Sequence, residues 1–176
     1  DVNENPVFTP PSSNIEHNES NGSLEISASD FVSDPDSSPQ FSYSIDPSLS
    51  NDNQYFSINS ATGIISFNSF IPDFEKKLDE DQNNVYEIVV SIEDNGTIIQ
   101  GNLNLAIADL NDPPVIEGTD LTQLTVDENS LFVKSLIATD QDRHSTFADV
   151  LFVVDDEKIG WLKNQEGSVP SFSSPN

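Results

Sequence analysis

The chain of 176 residues lacks cysteine and methionine altogether. Without cysteine it can form no disulfide, no thiolate metal site and no cysteine nucleophile. A small secreted domain without disulfides needs another source of stability, and a bound metal ion is the usual one. No stretch approaches the roughly 18–20 consecutive apolar residues of a membrane-spanning helix.

Basic residues are also scarce, since 31 Asp and Glu stand against 6 Lys and Arg, for a net charge of −25. Such a chain is repelled by nucleic acids and by anionic lipids, so we expect no nucleic-acid partner. The acidic residues recur in patterned positions, which favours bound divalent cations over a merely solvated acidic surface. The apolar fraction is only 35%, but the apolar residues cluster in strand-like runs, which argues against disorder.

These runs alternate between apolar and polar residues with the period of a β-strand. Asp94-Asn95-Gly96 joins the runs 86–94 and 98–109 and predicts a hairpin, because Asn-Gly accepts the positive φ of a tight turn. No window shows a sustained helical pattern. The sequence therefore predicts an all-β fold, an antiparallel β-sandwich with about seven strands over residues 7–108. The alternating runs are 41–45, 55–58, 64–67, 86–94 and 98–109.

A motif recurs along the chain. Residues 1–6 read "DVNENP" and residues 109–114 read "DLNDPP", a separation the size of one small domain. Ala28-Ser29-Asp30 is matched with Ala138-Thr139-Asp140, and this second match indicates an internal repeat. We predict an N-terminal linker motif at 1–6, a first repeat at 7–108, a linker at 109–114, and a partial or divergent second repeat at 115–176. Because the chain begins inside a motif, we expect it to be a segment of a longer protein.

Paired carboxylates are the main chemical feature. An Asp-x-Asp in an extended segment places both carboxylates on one side, and Ca²⁺ is bound by six to eight such oxygens. Mg²⁺ fits less well because it retains waters, and zinc is disfavoured without His or Cys clusters. The pairs are Asp34 with Asp36, Asp140 with Asp142, and Asp73 with Glu75; Asp94 closes a predicted strand.

Together these motifs resemble the cadherin repeat family. "DLNDPPV" (109–115) is similar to the linker of that family, "VDEN" (126–129) to the start of a repeat, and "YFSINSATGII" (55–65) and "YEIVVSIEDNG" (86–96) to two of its strands. The resemblance covers residues 1–114 well and 115–142 in part. It implies seven-stranded, antiparallel Greek-key β-sandwiches of the immunoglobulin-like kind, with Ca²⁺ held between successive repeats.

The resemblance also implies ligands, residue by residue. An internal junction would use Asp73, Glu75, Asp109, Asn111, Asp112, Asp140 and Asp142. An N-terminal junction would use Asp1, Asn3, Glu4, Asp34, Asp36 and Asp94, and we expect it to be incomplete because its preceding repeat is not in this sequence.

The sequence departs from the family pattern at several ligand positions. His17 stands where a ligand Glu belongs, and either Glu16 or Glu19 could replace it after a shift in register. Asp30 and Asp34 compete for one position. Phe74 replaces an Arg that is not itself a ligand. Asp155 and Asp156 are candidates for a partner acid in the second repeat, and Trp161 is interpreted as core or edge packing.

The resemblance implies a calcium-dependent structural and adhesion module of an extracellular or cell-surface protein, with a membrane-anchored parent and homophilic contact; composition suggests a bacterial surface adhesin. Expected partners are calcium ions, adjacent repeats of the parent chain, and another cell-surface protein or a glycan. The alternative is a polysaccharide-binding module in which Tyr43, Tyr55, Tyr86 or Trp161 stacks on sugar. We expect no enzyme, since no nucleophile elbow, HExxH or P-loop motif is present.

Overall fold

The structure of the chain is a computed structural model that describes residues 3–36, 40–117 and 137–142. The chain divides into two units, Asp1–Leu110 (unit 1) and Asn111–Asn176 (unit 2). The described residues contain strands and two 3₁₀ helices, Ala28–Phe31 and Asn51–Tyr55, and no α-helix. None of the described helices is long and apolar enough to cross a membrane.

The described residues of unit 1 form nine strand segments, which confirms the prediction of an all-β fold. Unit 2 contributes two more. In chain order they are β1 (Val7–Phe8), β2 (Ile15–Asn18), β3 (Ile26–Ser27), β4 (Val32–Ser33), β5 (Phe41–Ile45), β6 (Phe56–Ile58), β7 (Ile64–Phe67), β8 (Val85–Asp94), β9 (Thr97–Ala108), β10 (Val115–Glu117) and β11 (Ile137–Thr139).

The strands of unit 1 form a β-sandwich. One sheet has the order β2-β9-β8-β5, the other has the order β3-β7-β6, and β1 pairs with β4. The strand β2 runs parallel to β9, whereas the other pairs in the described part of the chain are antiparallel. The chain passes from one sheet to the other between β5 and β6 and returns between β7 and β8, as in a Greek-key sandwich.

The hairpin of β8 and β9 is the longest element, and it forms where the sequence predicts it. Asp94 pairs with Thr97, and between them Asn95 and Gly96 both take positive φ, at 47° and 89°. These are the conformations of a type I′ turn, which matches the twist of the flanking strands. The alternation along both strands sends one apolar row inward, and the buried row comprises Tyr86, Ile88, Val90, Ile92, Leu103, Leu105 and Ile107.

Two interruptions explain why unit 1 has nine strand segments instead of about seven. Pro10 and Pro11 lie between β1 and β2, and proline donates no N–H to a ladder. The 3₁₀ helix Ala28–Phe31 separates β3 from β4. As a result β1 and β4 pair with each other, while β2 and β3 join different sheets.

Unit 2 repeats the first pairing of unit 1, but with a shorter connection between the paired strands. Val7 pairs with Ser33 in unit 1, and Val115 pairs with Thr139 in unit 2. Thr139 therefore corresponds to Ser33, and Ala138 to Val32. The prediction that Ala28-Ser29-Asp30 corresponds to Ala138-Thr139-Asp140 is wrong, because the 3₁₀ helix of unit 1 occupies the earlier positions and the paired strand follows it.

Several predicted features lie outside the described residues. They are Asp1, the motif "VDEN" at 126–129, Asp155, Asp156, Trp161 and most of the predicted second repeat.

Candidate metal centres

The first group of carboxylates lies where β2 and β9 end. Because these strands are parallel and in register, with Asn18 opposite Ala108, their last residues meet at the same edge of the sheet. Glu19 follows β2, and its backbone N–H donates to the carbonyl of Ala108 at 3.2 Å. Asp109 follows β9. The loop between β7 and β8 brings Asp73 and Glu75 to the same place, and we call these four residues the Glu19 cluster.

Carboxylate oxygens of Glu19, Asp73 and Glu75 lie within 4.8 Å of one another, and those of Glu75 and Asp109 lie equally close. Glu19 is only 2% exposed. Its Oε2 accepts from the backbone N–H of Phe74 at 2.7 Å, and its Oε1 accepts from that of Leu110 at 2.6 Å. The Oδ1 atom of Asp109 is buried and has no hydrogen-bond partner in the described part of the chain.

A second group lies at the turn end of the hairpin, and we call it the Asp94 cluster. Oxygens of Asp34, Asp36 and Asp94 lie within 4.8 Å of one another. Asp94 is fully buried, and its Oδ1 accepts from the backbone N–H of Gln40 at 3.2 Å. Oδ2 of Asp94 and Oδ2 of Asp34 are both buried without a hydrogen-bond partner among residues 3–36, 40–117 and 137–142.

The N-terminal linker motif reaches this second cluster. The backbone N–H of Glu4 donates to Oδ2 of Asp36 at 3.3 Å, and the side-chain amide of Asn95 donates to Oδ1 of Asn3. Hydrogen bonding to Asp36, some loss of hydration and the charge of Asp36 raise the pKa of the exposed Glu4 carboxyl. The predicted ligands Asn3, Glu4, Asp34, Asp36 and Asp94 therefore come together in unit 1.

The two clusters stand at opposite ends of the hairpin. Asp94 pairs with Thr97 at the turn, whereas Val85 pairs with Ala106 at the other end. The ten residues of β8 span about 30 Å at roughly 3.3 Å per residue. Unit 1 thus carries a carboxylate cluster beside the chain that enters it and another beside the chain that leaves it.

Unit 2 repeats the local arrangement of the Asp94 cluster through three hydrogen bonds. The amide of Asn111 donates to the carbonyl of Asp112 at 2.9 Å, the N–H of Asp112 to Oδ2 of Asp142 at 2.7 Å, and the N–H of Asp142 to Oδ1 of Asp140 at 3.0 Å.

The corresponding three bonds in unit 1 measure 3.0, 3.3 and 2.7 Å, and they link Asn3 to Glu4, Glu4 to Asp36, and Asp36 to Asp34. Asp142, like Asp94, is fully buried. Its Oδ1 has no hydrogen-bond partner among the described residues.

The donor set fits a hard divalent cation. Each cluster offers carboxylate oxygens and linker amide or carbonyl groups, which are the ligands that Ca²⁺ prefers. Several buried carboxylate oxygens, such as Oδ2 of Asp94, accept no hydrogen bond from the residues that the structure describes, an arrangement that is costly unless another group neutralises them. Like charges this close also repel one another. A bound cation would relieve both costs.

Comparison with known proteins concerns the fold. No protein-family model matches the chain, and no curated protein matches it. The chain is similar to the EC1-2 fragment of human protocadherin-24, with 18% identity and a TM-score of 0.48, over 79% of this chain and 61% of that one. It is also similar to EC1-4 of Drosophila N-cadherin, with 23% identity and a TM-score of 0.49, over 79% of this chain and 34% of that one.

The chain is also similar to extracellular cadherin domains 3–6 of protocadherin gamma B2, with 18% identity and a TM-score of 0.43, over 78% of this chain and 31% of that one. These solved structures are cadherin extracellular repeats, the family that the motifs resemble, and the chain spans less than two thirds of each. Identities and TM-scores this low bear on the fold and carry no conclusion about what the chain does.

At two positions where the sequence left alternatives open, one of the two candidates lies in a carboxylate cluster. Glu19 joins Asp73 and Glu75, whereas Glu16 is exposed and Nε2 of His17 contacts the carbonyl oxygen of Asn21 at 2.8 Å. Asp34, and not the exposed Asp30, joins Asp36 and Asp94. The sequence left Glu19 as one of two alternatives because its position depends on the pairing of β2 with β9.

The tyrosines considered for sugar stacking are part of the core. Tyr43 and Tyr86 are 4% and 2% exposed, and Tyr55 packs edge-on against Tyr86 with a centroid distance of 5.5 Å. The hydroxyl of Tyr55 donates to the carbonyl of Leu78 at 3.0 Å. These rings form no exposed platform on which a sugar could stack.

Proposed function

We propose that this chain is a calcium-dependent structural and adhesion module of an extracellular or cell-surface protein, in which Ca²⁺ rigidifies the junctions between tandem β-sandwiches. One observation carries the proposal: unit 1 has a carboxylate cluster at each end of its longest hairpin, each beside a linker motif, and in each cluster a buried aspartate oxygen accepts no hydrogen bond from the described residues. Scattered surface acids would not be expected to be buried in this way.

The proposed ligands fall into two sets. At the N-terminal junction they are Asp1, Asn3, Glu4, Asp34, Asp36 and Asp94. At the internal junction they are Glu19, Asp73, Glu75, Asp109, Asn111, Asp112, Asp140 and Asp142. Residues 1–6 and 109–114 would then be linkers, 7–108 a complete repeat, and 115–176 a partial or divergent one.

The physical mechanism is electrostatic. Without a cation, the carboxylates of a linker and of the adjoining sandwich repel one another, which favours open and variable arrangements of the linker. Bound Ca²⁺ supplies the positive charge that these oxygens share. The carboxylates then hold the linker against the sandwich, so binding free energy becomes stiffness of the junction.

The partners we propose follow from this role. They are calcium ions, adjacent repeats of the parent chain, and a further cell-surface protein or glycan, with homophilic contact and a membrane-anchored parent. The similar solved structures come from cadherins and protocadherins. The fragment of protocadherin gamma B2 is named as extracellular cadherin domains.

Thermal unfolding of the chain in Ca²⁺, in Mg²⁺ and in chelator tests the calcium dependence. We expect Ca²⁺ to raise the melting temperature more than Mg²⁺ does, since a ligand at 100 times its dissociation constant stabilises by about 2.7 kcal/mol. Equal melting temperatures in all three conditions would contradict the proposal.

Small-angle X-ray scattering of the whole chain tests the stiffening. We expect Ca²⁺ to narrow the distribution of interatomic distances in the wild type and to do so much less in Asp112→Ala. Glu117→Ala, an acidic residue of the same unit outside the proposed ligands, is the control. A Ca²⁺ response that survives Asp112→Ala unchanged would remove Asp112 from the ligand set.

A further inference from the structure

The loop that carries Asp73 and Glu75 is held in place by a buried asparagine. Asn84, which precedes β8, is 4% exposed and has a positive φ of 64°. Its side-chain amide donates to the carbonyl of Phe74 at 2.9 Å. Its own carbonyl accepts from the backbone N–H of Ile107 at 2.8 Å, so Asn84 joins the loop to β9 two residues before Asp109.

Phe74 lies between the two carboxylates, and both of its backbone polar groups are fixed. Its N–H donates to Oε2 of Glu19 at 2.7 Å, and its carbonyl accepts from Asn84. The N–H belongs to the peptide unit after Asp73, and the carbonyl belongs to the peptide unit before Glu75. Rotation of either unit would therefore move one carboxylate of the cluster. No strand or helix holds this segment, so these hydrogen bonds set its geometry.

Asn84 is itself anchored by a buried aspartate. Asp79 is 2% exposed; its Oδ2 accepts from the N–H of Asn83 at 2.6 Å, and its Oδ1 from that of Asn84 at 3.2 Å. Asp52 fixes the same loop to β8, accepting from the N–H of Glu80 and of Glu87, both at 2.9 Å. The carboxylate oxygens of Asp79 and Asp52 are occupied by backbone N–H groups, so these two acids act as anchors of the loop.

We propose that Asn84 is a positioning residue for the Glu19 cluster, one that holds Phe74 so that Asp73 and Glu75 are aligned before a cation binds. This inference rests on the proposed function, because it concerns the affinity of the same cluster. Residues that orient metal ligands typically change affinity about 10–100-fold when they are substituted. Prior alignment lowers the ordering cost of binding.

Asn84→Gly is the decisive variant because glycine adopts the same positive φ but removes the amide that holds Phe74. Gln82→Gly is the matched control: Gln82 lies in the same loop and also has a positive φ, of 59°, but its side chain is exposed. Asn84→Asp is a second variant, which keeps the size of the side chain and places an oxygen against the carbonyl of Phe74.

Ca²⁺ titration of the full chain, followed by NMR, reads the two clusters separately. The amides of Phe74 and Leu110 report the Glu19 cluster, and those of Asp36 and Gln40 report the Asp94 cluster. For Asn84→Gly we expect about a tenfold loss of affinity at Phe74 and Leu110 and no change at Asp36 and Gln40. Unchanged affinity at Phe74, or equal losses at both clusters, would overturn the proposal, since equal losses indicate general destabilisation.

Amide hydrogen exchange in chelator separates this inference from the proposed function. We expect the Phe74 amide to exchange faster in Asn84→Gly than in Gln82→Gly, with or without a cation site. If the wild type shows no Ca²⁺ response at Phe74, the proposed function fails there, and exchange still decides whether Asn84 holds the loop. Equal exchange in the two variants would show that it does not.

Discussion

Leu110 donates its backbone N–H to Oε1 of Glu19 at 2.6 Å, across 91 residues of sequence. The bond ties the chain that leaves the sandwich to the end of β2. The other carboxylate oxygen of Glu19 holds Phe74, so one buried side chain fixes both segments that carry the remaining carboxylates of its cluster.

Glu19→Gln is expected to weaken both the fold and the response to Ca²⁺. The amide of Gln has one acceptor oxygen where two N–H groups are offered, so either Phe74 or Leu110 loses its partner. We expect a loss of about 1–3 kcal/mol in the free energy of unfolding, measured by urea denaturation in chelator, and a smaller gain on adding Ca²⁺. Glu16→Gln, at an exposed position of β2, is the control, and an equal effect there would contradict the role of Glu19.

Asp94→Asn is expected to have the opposite effect on stability in the absence of metal. The amide keeps the oxygen that accepts from Gln40 and replaces a buried oxygen that has no hydrogen-bond partner among the described residues. It also removes one of three neighbouring negative charges. We expect the variant to be more stable than the wild type by about 1–2 kcal/mol in chelator, and to gain less from Ca²⁺.

Thermal unfolding of Asp94→Asn and of the wild type, with Ca²⁺ and in chelator, checks this prediction. Glu87→Gln, at an exposed position of the same strand, serves as the control. A lower melting temperature for Asp94→Asn in chelator would show that the carboxylate stabilises the metal-free fold.

Gly101→Ala is expected to destabilise the sandwich. A Cβ at Gly101 would lie 2.4 Å from ring atoms of Phe8, which covers this glycine. Overpacking of this kind costs about 1–3 kcal/mol, measurable by urea denaturation. Gly22→Ala is the control, because its Cβ would meet only the side chain of Ile71 at 3.2 Å, and Ile71 is exposed. Equal losses for the two variants would contradict the importance of the Phe8 contact.

The buried tyrosines predict loss of stability in alkali. Burial raises the pKa of Tyr43 and of Tyr86, and the charge of Asp79 adds to the effect at Tyr86. In the unfolded chain both phenols lose their protons at about pH 10. Above that pH the folded state holds protons that the unfolded state has lost, so stability falls as pH rises.

Absorbance at 295 nm and far-UV circular dichroism, followed from about pH 9 to about pH 12, check this prediction. We expect phenolate absorbance from these two residues to appear together with unfolding. Full ionisation of all three tyrosines near pH 10 with an unchanged dichroism spectrum would contradict it.

The local features of the fold could be predicted from sequence, because they depend on neighbouring residues. The strands β5 and β7 coincide with the alternating runs 41–45 and 64–67, and the Asn95-Gly96 turn lies where the pattern predicts it. The acids that follow a strand or form an Asp-x-Asp pair could be found in the same way.

Features that depend on pairing between distant segments could not be predicted. The sequence offered Glu16 and Glu19 as alternatives, and Glu19 joins its cluster through the register of β2 against β9, two strands that lie far apart in the sequence. The interruption of β3 and β4 by a 3₁₀ helix and the correspondence of Thr139 with Ser33 have the same origin. For Asp30 and Asp34 the sequence offered two candidates, and Asp34, which follows β4, is the one that lies beside Asp36 and Asp94.

The parallel pairing of β2 with β9 has a mechanical consequence. These two strands lie near the beginning and the end of unit 1 and run side by side in the same direction over Ile15–Asn18 and Leu105–Ala108. A pulling force applied to the two ends of the unit would act along this ladder, so its hydrogen bonds would share the load and would have to break together. In a hairpin pulled from its open end they would break one after another. The topology of this sandwich is therefore suited to bearing tension along the chain.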